Sequence, residues 1–183
     1  MIQKLDFAIL DWIQLHLKCG ALDFLMPKAT LLAEDGIFLI VLGLLFLLMK
    51  SRRVIGMEIL TGMGIGLLCG NLILKNLIAR PRPCWLNPDV VLLIENPTDF
   101  SMPSAHTMHC FIVATVLMHH DRRAGAPAVV LASLVGFSRL YLYVHFPTDV
   151  LFGALLGIGI GILTIKLFRR RNKPDEETVS LSD

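Results

Sequence analysis

Long apolar runs divide the chain, and short polar or basic stretches separate them. The runs cover residues 36–49, 54–74, 107–118, 126–144 and 150–168. Most of them approach the roughly 20 residues that a helix needs to cross a lipid bilayer. The pattern therefore predicts about five membrane-spanning helices by this length rule.

The N-terminal segment differs from these runs because it mixes polar with apolar positions. Within residues 5–17, the polar residues Asp11, Gln14 and His16 interrupt an apolar sequence at helical spacing. Such a pattern is typical of an amphipathic helix. We expect this helix either to lie at the membrane surface or to form a tilted sixth span.

The composition indicates that the lipid bilayer is the solvent of this chain. Of its 183 residues, 55% are hydrophobic and only 17% are charged, which is too apolar for an ordinary soluble domain. The formal net charge of +2 gives no indication of a nucleic-acid partner. We therefore predict an all-α polytopic membrane bundle of roughly five to six transmembrane helices. Residues 1–171 would form a single membrane domain, and the polar residues 172–183 would form a cytoplasmic tail.

Basic residues predict the orientation of the bundle. They cluster at residues 50–53, 122–123 and 166–173, which are alternate connections between the apolar runs. The positive-inside rule places such clusters in the cytoplasm. Residues 75–104 and the turn near His145 would then lie together on the external face of the inner (plasma) membrane.

Small residues and cysteines add two structural expectations. Glycines recur four positions apart at 62, 66 and 70 and again at 153, 157 and 161. Small residues at this spacing let membrane helices approach closely, so both series are predicted to line helix contacts. The four cysteines have no paired spacing, and neither a zinc site nor a disulfide framework is predicted.

The first segment with candidate chemistry is a group of cations at a membrane edge. Lys75 closes an apolar run, and Arg80 and Arg82 follow between prolines that end the helix and hold the chain extended. A basic patch beside a membrane also binds lipid headgroups, which is the alternative interpretation of this segment alone. Such patches favour the cytoplasmic face, whereas this one is predicted to be external.

The second segment precedes the apolar run that begins at residue 107. Ser104 occupies the position of a helix N-cap, where free backbone N–H groups and the serine hydroxyl are able to bind an anion. His106 would lie beside that anion. Considered alone, such a serine is more often a simple helix cap, and such a histidine is more often structural.

The third segment contains Arg139, His145 and Asp149. Arg139 lies inside an apolar run, where a guanidinium needs an anionic partner or ligand. Asp149 follows His145 by four residues, close enough to accept a hydrogen bond from one ring nitrogen and leave the other free to attack. A His–Asp hydrogen bond that only stabilises a turn is the alternative.

Together, the three segments supply cations, a helix N-terminus and two histidines, which is the chemistry of phosphoryl transfer. The acidic residues are not grouped as metal ligands. Asp89, Glu95 and Asp99 are scattered along one segment, and the adjacent Glu34 and Asp35 have no further ligands near them in sequence. We therefore expect no metal and no other cofactor.

These motifs resemble those of the type-2 phosphatidic acid phosphatase superfamily, membrane lipid phosphatases that share their site with vanadium haloperoxidases. The family pattern K-x6-R-P matches residues 75–83, and S-R-x5-H-x3-D matches residues 138–149. The pattern P-S-G-H matches residues 103–106 with one departure, Ala105 in place of glycine. Order and spacing both agree with the family.

The resemblance implies a helical membrane fold, commonly of six helices, and a two-step reaction without metal. His145 would be the nucleophile, activated by Asp149, and His106 would protonate the leaving lipid oxygen. Water would then release phosphate from the phospho-histidine. The residues implied to hold the phosphoryl group are Lys75, Arg82, Ser104, Ala105 (through its backbone) and Arg139.

The substrate implied by the resemblance is a lipid phosphate or diphosphate, with undecaprenyl diphosphate as the first choice. Phosphatidylglycerophosphate, phosphatidate and transfer of the phosphoryl group to a second lipid are alternatives. A haloperoxidase is disfavoured because the chain consists of apolar spans. A lipid-binding or transport protein that kept the fold is the non-enzyme alternative, although binding alone needs no paired nucleophile and acid.

Overall fold

The computed structural model describes residues 2–171, except for the side chains of Asp35 and Arg171. Within that range the chain is helical and contains no β-strand, which confirms the predicted all-α fold for this part of the protein. The predicted tail, residues 172–183, lies outside the described residues. All four cysteines are free. The α-helices in chain order are α1 (Ile2–His16), α2 (Gly20–Leu31), α3 (Ile37–Leu48), α4 (Arg53–Gly66), α5 (Lys75–Ile78), α6 (Pro83–Leu86), α7 (Ala105–His120), α8 (Arg122–Tyr141) and α9 (Pro147–Arg171).

Three helical stretches are long and apolar enough to cross a bilayer: Lys50–Leu86, Arg122–Tyr141 and Pro147–Arg170. The first of them joins α4 to α5 through a π-helical segment, Leu67–Leu74. Helix α3 is a shorter apolar helix. Helix α7 has 16 residues and packs inside the bundle rather than at its surface. The roughly five to six crossings expected from the apolar runs stay a prediction.

The centre of the bundle is α7, which packs against α4, α8 and α9. Glycines allow this packing: a Cβ at Gly62 would lie 2.6 Å from Ile112, and one at Gly157 would overlap the carbonyl oxygen of Met108. Gly159, by contrast, has no atom within 4 Å of such a Cβ. The prediction that both glycine series line helix contacts is confirmed. The other glycines of the two series also lie close to α7 or to Ser104, which precedes it: Gly66, Gly70, Gly153 and Gly161.

The chain leaves α5 through a sharp change of direction. Ala79 adopts a left-handed conformation, with a φ of 46°, and ends the helix. Arg82 is extended, as expected beside proline, with a φ of −77° and a ψ of 153°. The long loop that follows α6 folds back beside Arg80, where the Ser101 N–H donates to the Arg80 carbonyl at 2.8 Å. This return brings the loop to the start of α7.

The two N-terminal helices cover the end of the bundle where α8 stops and α9 starts. Helix α1 packs against α8 and α9, and α2 packs against α8. The predicted amphipathic pattern is confirmed, since α1 buries Asp6, Leu10 and Ile13 on one face. Leu10 packs with Tyr143 and Phe146, on either side of the turn that contains His145. Neither α1 nor α2 has the length and apolarity of a spanning helix.

Candidate active site

A cavity of about 810 Å³ opens where α5, α7 and α8 meet the connecting loops. It brings together residues that are far apart in the chain. Six of the eight residues singled out from the sequence line it: Lys75, Arg82, Ala105, His106, Arg139 and His145. The other two, Ser104 and Asp149, are buried behind its wall.

Arg82 is the most extensively bonded of the cations in this cavity. Its Nε donates to the Asp99 carbonyl at 2.7 Å, and its Nη2 donates to the Asp99 carboxylate at 2.6 Å. Its Nη1 lies 2.8 Å from the Val144 carbonyl oxygen and 3.1 Å from His145 Nε2. These bonds fix the guanidinium beside the ring of His145.

Asp99 is a member of this site that the sequence did not indicate. Its carboxylate pairs with Lys75 as well as with Arg82. Burial raises the pKa of Asp99, but the hydrogen bonds and charges of the two cations outweigh burial and lower this pKa from 3.8 to about 2. Asp99 thereby holds two cations at one wall of the cavity.

The contacts of His145 assign its tautomer. A guanidinium has only donors, so Arg82 Nη1 at 3.1 Å requires a lone pair on His145 Nε2. The proton of a neutral ring is then on Nδ1, which faces Ser101 Oγ at 3.4 Å. Burial, followed by the charges of Arg82, Arg139 and Lys75, lowers the pKa of His145 well below its usual value of 6.5. The ring is therefore neutral at neutral pH, and the lone pair of its Nε2 accepts from Arg82 at the wall of the cavity.

The hydrogen bond expected between His145 and Asp149 is not formed directly. Their nearest atoms, Nδ1 and Oδ2, are 3.6 Å apart, an ion-pair distance that is too long for a hydrogen bond. The Asp149 carboxylate instead accepts from the Ser101 hydroxyl and from the Phe146 N–H at 2.9 Å. Ser101 contacts both residues and so connects them, which corrects the simpler pair predicted from their spacing.

Arg80 provides the remaining partner of Asp149. Its Nη1 donates to Asp149 Oδ1 at 2.5 Å and to Thr148 Oγ1 at 2.7 Å, and its Nη2 donates to Asp6 Oδ2 at 2.6 Å. Asp6 also accepts from the Thr148 N–H at 3.1 Å. The sequence left the role of Arg80 open and did not indicate Asp6. The only sequence signal for Asp6 was its place in an amphipathic helix.

Ser104 precedes α7 as predicted, but its hydroxyl does not cap the helix. The hydroxyl instead lies 3.0 Å from Thr107 Oγ1, and the residue is fully buried. That this hydroxyl binds an anion stays a prediction. Ala105, which begins α7, does line the cavity.

Arg139 is 3% exposed and was predicted to need an anionic partner. Within residues 2–171, its side chain makes one hydrogen bond, from Nη1 to Thr30 Oγ1 at 2.6 Å. Its buried Nε has no partner in that range. Because Arg139 lines the cavity, this guanidinium retains donors for an anionic ligand.

His106 lies close to a carboxylate, that of Glu34, which the sequence did not connect with it. Its Nε2 lies 3.4 Å from Glu34 Oε2, in the short turn between α2 and α3. The imidazole is 17% exposed and opens into the same cavity as His145.

Among the described residues, no three His, Cys, Asp or Glu side chains are grouped as metal ligands.

The chain is similar to known proteins in both sequence and fold. The family model described as the PAP2 superfamily, for type-2 phosphatidic acid phosphatases, matches residues 55–173. An undecaprenyl-diphosphatase of Sulfolobus acidocaldarius is 34% identical over 67% of this chain, and the match spans 60% of that relative. Undecaprenyl-diphosphatase BcrC of Bacillus subtilis is 33% identical over 79% of this chain and 74% of its own length.

A solved structure is also similar over nearly the whole chain. It is a transmembrane PAP2-type phosphatidylglycerolphosphate phosphatase from Bacillus subtilis, with a TM-score of 0.77 and 31% identity. The superposition covers 95% of this chain and 89% of that protein. The family resemblance expected from the three motifs is confirmed.

Proposed function

Because the chain belongs to the PAP2 superfamily, we propose that it is a membrane phosphatase that hydrolyses a lipid phosphate or diphosphate. The observation that carries this proposal is the position of His145 Nε2, 3.1 Å from Arg82 Nη1 in a cavity that His106 also lines. A nucleophile, an acid and fixed cations around one space are the groups that phosphoryl transfer requires.

The reaction proceeds through a phospho-histidine. Arg82 Nη1 turns from His145 Nε2 to an oxygen of the bound phosphoryl group, which frees the Nε2 lone pair; Nε2 then attacks phosphorus, and the N–P bond forms as the bond from phosphorus to the leaving oxygen breaks. His106 donates a proton to that oxygen, while Asp149 and Ser101 stabilise the positive charge on the ring of His145. Water, deprotonated by His106, then attacks phosphorus and releases phosphate, which restores His145. The covalent step divides one difficult displacement into two easier ones.

Cations stabilise the charge on the transferred phosphoryl group in both steps. Lys75, Arg82 and Arg139 neutralise its equatorial oxygens, and the backbone N–H groups at the start of α7, from Ala105 onwards, donate to them. The hydroxyl of Ser104, 3.0 Å from Thr107 Oγ1, is proposed as a further group that binds this phosphoryl group. No metal ion takes part in this reaction scheme.

Undecaprenyl diphosphate is the substrate that we favour. Two relatives named as undecaprenyl-diphosphatases support this choice. The similarity to a phosphatidylglycerolphosphate phosphatase supports phosphatidylglycerophosphate as the second candidate, with phosphatidate beside it. Transfer of the phosphoryl group to a second lipid would use the same intermediate with a different acceptor.

We further propose that the chain crosses the plasma membrane roughly five to six times, with the cavity on the external side. The ends of the helices support this orientation. Lys50–Arg52 precedes α4 at the end opposite Lys75, and Arg122 begins α8 at the end opposite His145. The basic clusters and the cavity are thus at opposite ends of the same helices, as the positive-inside rule requires.

The proposal is tested by measuring phosphate release in detergent with EDTA present. Undecaprenyl diphosphate, phosphatidylglycerophosphate and phosphatidate are compared, each with and without an acceptor lipid. We expect release from at least one of them by the wild type and at least a 1,000-fold lower rate for His145→Ala, since removal of a nucleophile costs about that much or more.

His119→Ala is the matched control, because His119 is an exposed histidine at the far end of α7. It should release phosphate at the wild-type rate. Trapping of a ³²P-labelled protein after an acid or alkali quench separates phospho-histidine from acyl phosphate. Substantial turnover by His145→Ala contradicts the proposed nucleophile, and loss of turnover in EDTA contradicts the metal-free reaction.

A further inference from the structure

The cavity contains a second polar position that the reaction above does not use. It is formed by His109 of α7, which is 7% exposed, and by Asn71 of the π-helical segment. Both residues line the cavity. Within residues 2–171, the buried atoms His109 Nε2 and Asn71 Oδ1 have no hydrogen-bond partner.

Unpaired buried polar atoms need an explanation, because each costs about 1–3 kcal/mol in the absence of a partner. Two such atoms beside one cavity indicate a position for a polar ligand group. The space is provided by the fold: a Cβ at Gly66 would lie 3.3 Å from His109 Nε2. Glycine at this position therefore gives the imidazole room against α4.

The position of His109 relative to His106 determines which part of a substrate it would meet. Residues three apart in a helix lie on the same face, and the second is about 4.5 Å further along the axis. Since α7 begins at the cavity and runs into the bundle, His109 is deeper than His106. The leaving group of the substrate, which His106 protonates, extends towards His109.

We propose that His109 and Asn71 bind the lipid-linked phosphate of a prenyl diphosphate. This inference rests on the proposed function. In a diphosphate, the oxygen protonated by His106 is bonded directly to the second phosphorus, so the second phosphate is the first polar group on the lipid side. The His109 Nε2–H donates to a phosphate oxygen, and rotation of the Asn71 side-chain amide by 180° replaces the unpartnered Oδ1 with Nδ2, whose N–H donates to the same phosphate. A prenyl monophosphate would present a methylene group instead and would leave both side chains unpaired.

The test compares farnesyl diphosphate with farnesyl phosphate, which share one tail and differ only in the second phosphate. For His109→Leu and Asn71→Leu, we expect kcat/KM to fall about tenfold more with the diphosphate than with the monophosphate, which corresponds to the loss of one hydrogen bond to a charged group. His109→Gln, which keeps a donor, should recover part of this loss.

Matched controls make the same chemical changes outside the cavity. His119→Leu on α7 and Asn76→Leu on α5 replace exposed residues and should leave the ratio of the two kcat/KM values unchanged. Equal losses with both farnesyl compounds, or no loss with either, overturn the assignment. An equal loss with phosphatidylglycerophosphate also overturns it, because the position would then recognise a glycerol hydroxyl.

A binding measurement separates failure of this inference from failure of the proposed function. If the wild type releases phosphate from neither farnesyl compound, the proposed function is wrong for prenyl substrates. Equilibrium binding of both compounds to His145→Ala then decides the inference. We expect the diphosphate to bind more tightly and His109→Leu to remove about tenfold of that preference. Equal binding of the two compounds to His145→Ala refutes it.

Discussion

Removal of Arg80 tests whether α1 holds the catalytic carboxylate in place. Arg80 is 18% exposed in its side chain and pairs at once with Asp149, which is fully buried, and with Asp6, whose side chain is 2% exposed. Arg80→Gln leaves both carboxylates without their cation. Breaking a buried ion pair costs about 3–5 kcal/mol, so we expect a loss of about 3 kcal/mol in the free energy of unfolding.

The catalytic effect should be larger than a general loss of stability explains. Asp149 is held by Arg80, by Ser101 and by the Phe146 N–H. Without Arg80, Asp149 Oδ1 loses its cation and only Oδ2 is still held, by Ser101 and the Phe146 N–H, so the carboxylate shifts relative to His145. A displacement of about 1 Å at a catalytic group costs roughly 100-fold in rate. We therefore expect kcat to fall about 100-fold at a temperature where the variant is folded, while KM changes little. Arg80→Lys should be intermediate, because one ammonium cannot replace a fork of donors.

A double-mutant cycle with Asp6 provides the decisive measurement. The cycle uses Arg80→Gln, Asp6→Asn and the double variant, each unfolded by SDS in mixed micelles and followed by far-UV circular dichroism. Because Arg80→Gln leaves Asp6 as an unpaired buried charge, the double variant should lose about 1–2 kcal/mol less than the sum of the single variants. Arg123→Gln, at an exposed position, is the control and should change stability by less than about 0.5 kcal/mol. Additivity within about 0.5 kcal/mol would refute the coupling of α1 to the site.

Three further predictions follow from packing and charge. Gly157→Ala should lower the unfolding free energy by about 1–3 kcal/mol, because the added methyl group overlaps the backbone of α7. Gly159→Ala is the control: its methyl group faces open space, and the variant should be neutral or slightly stabilised in the same SDS titration. Asp99→Asn should lower the unfolding free energy by about 1 kcal/mol or less at neutral pH, since Asp99 is half exposed. Because the pKa of Asp99 is lowered from 3.8 to about 2 in the folded protein, this difference in unfolding free energy should be present above pH 4 and vanish as the pH falls through 2. A difference that persists at pH 2 contradicts the prediction. His120→Ala should cost about 3 kcal/mol by leaving the buried Glu58, at 2.7 Å, unpaired, and the addition of Glu58→Gln should restore much of it.

The sequence was sufficient to predict the helices that the apolar runs form. The run at residues 150–168 became α9 (Pro147–Arg171), and the run at 107–118 became α7 (Ala105–His120). The boundaries were missed by a few residues because helix ends depend on local caps rather than on apolarity. Arg139 stood out because a charge inside an apolar run is costly, and Lys75 stood out because it closes such a run at a membrane edge.

The partners of these residues were not predictable from the pattern. Thr148 and Asp6 are in contact although 142 positions separate them, and no periodicity connects two such residues. The same holds for Ser101, which replaced the expected direct bond between His145 and Asp149. A hydrophobic pattern indicates which face of a helix is buried, but it does not indicate which polar residue of another segment that face will meet.

The helices that precede the family match contribute to the candidate site in three places. The match begins at residue 55, after α1, α2 and α3. Yet Asp6 of α1 pairs with Arg80, which in turn holds Asp149. Thr30 of α2 accepts a hydrogen bond from Arg139, and Glu34, between α2 and α3, contacts His106. The matched region therefore contains every proposed catalytic group, while part of what orients those groups comes from outside it. Differences among PAP2 proteins in their N-terminal helices would then change the orientation of His106, Asp149 and Arg139 without any change in the three motifs. Such differences would alter the catalytic rate or the substrate preference.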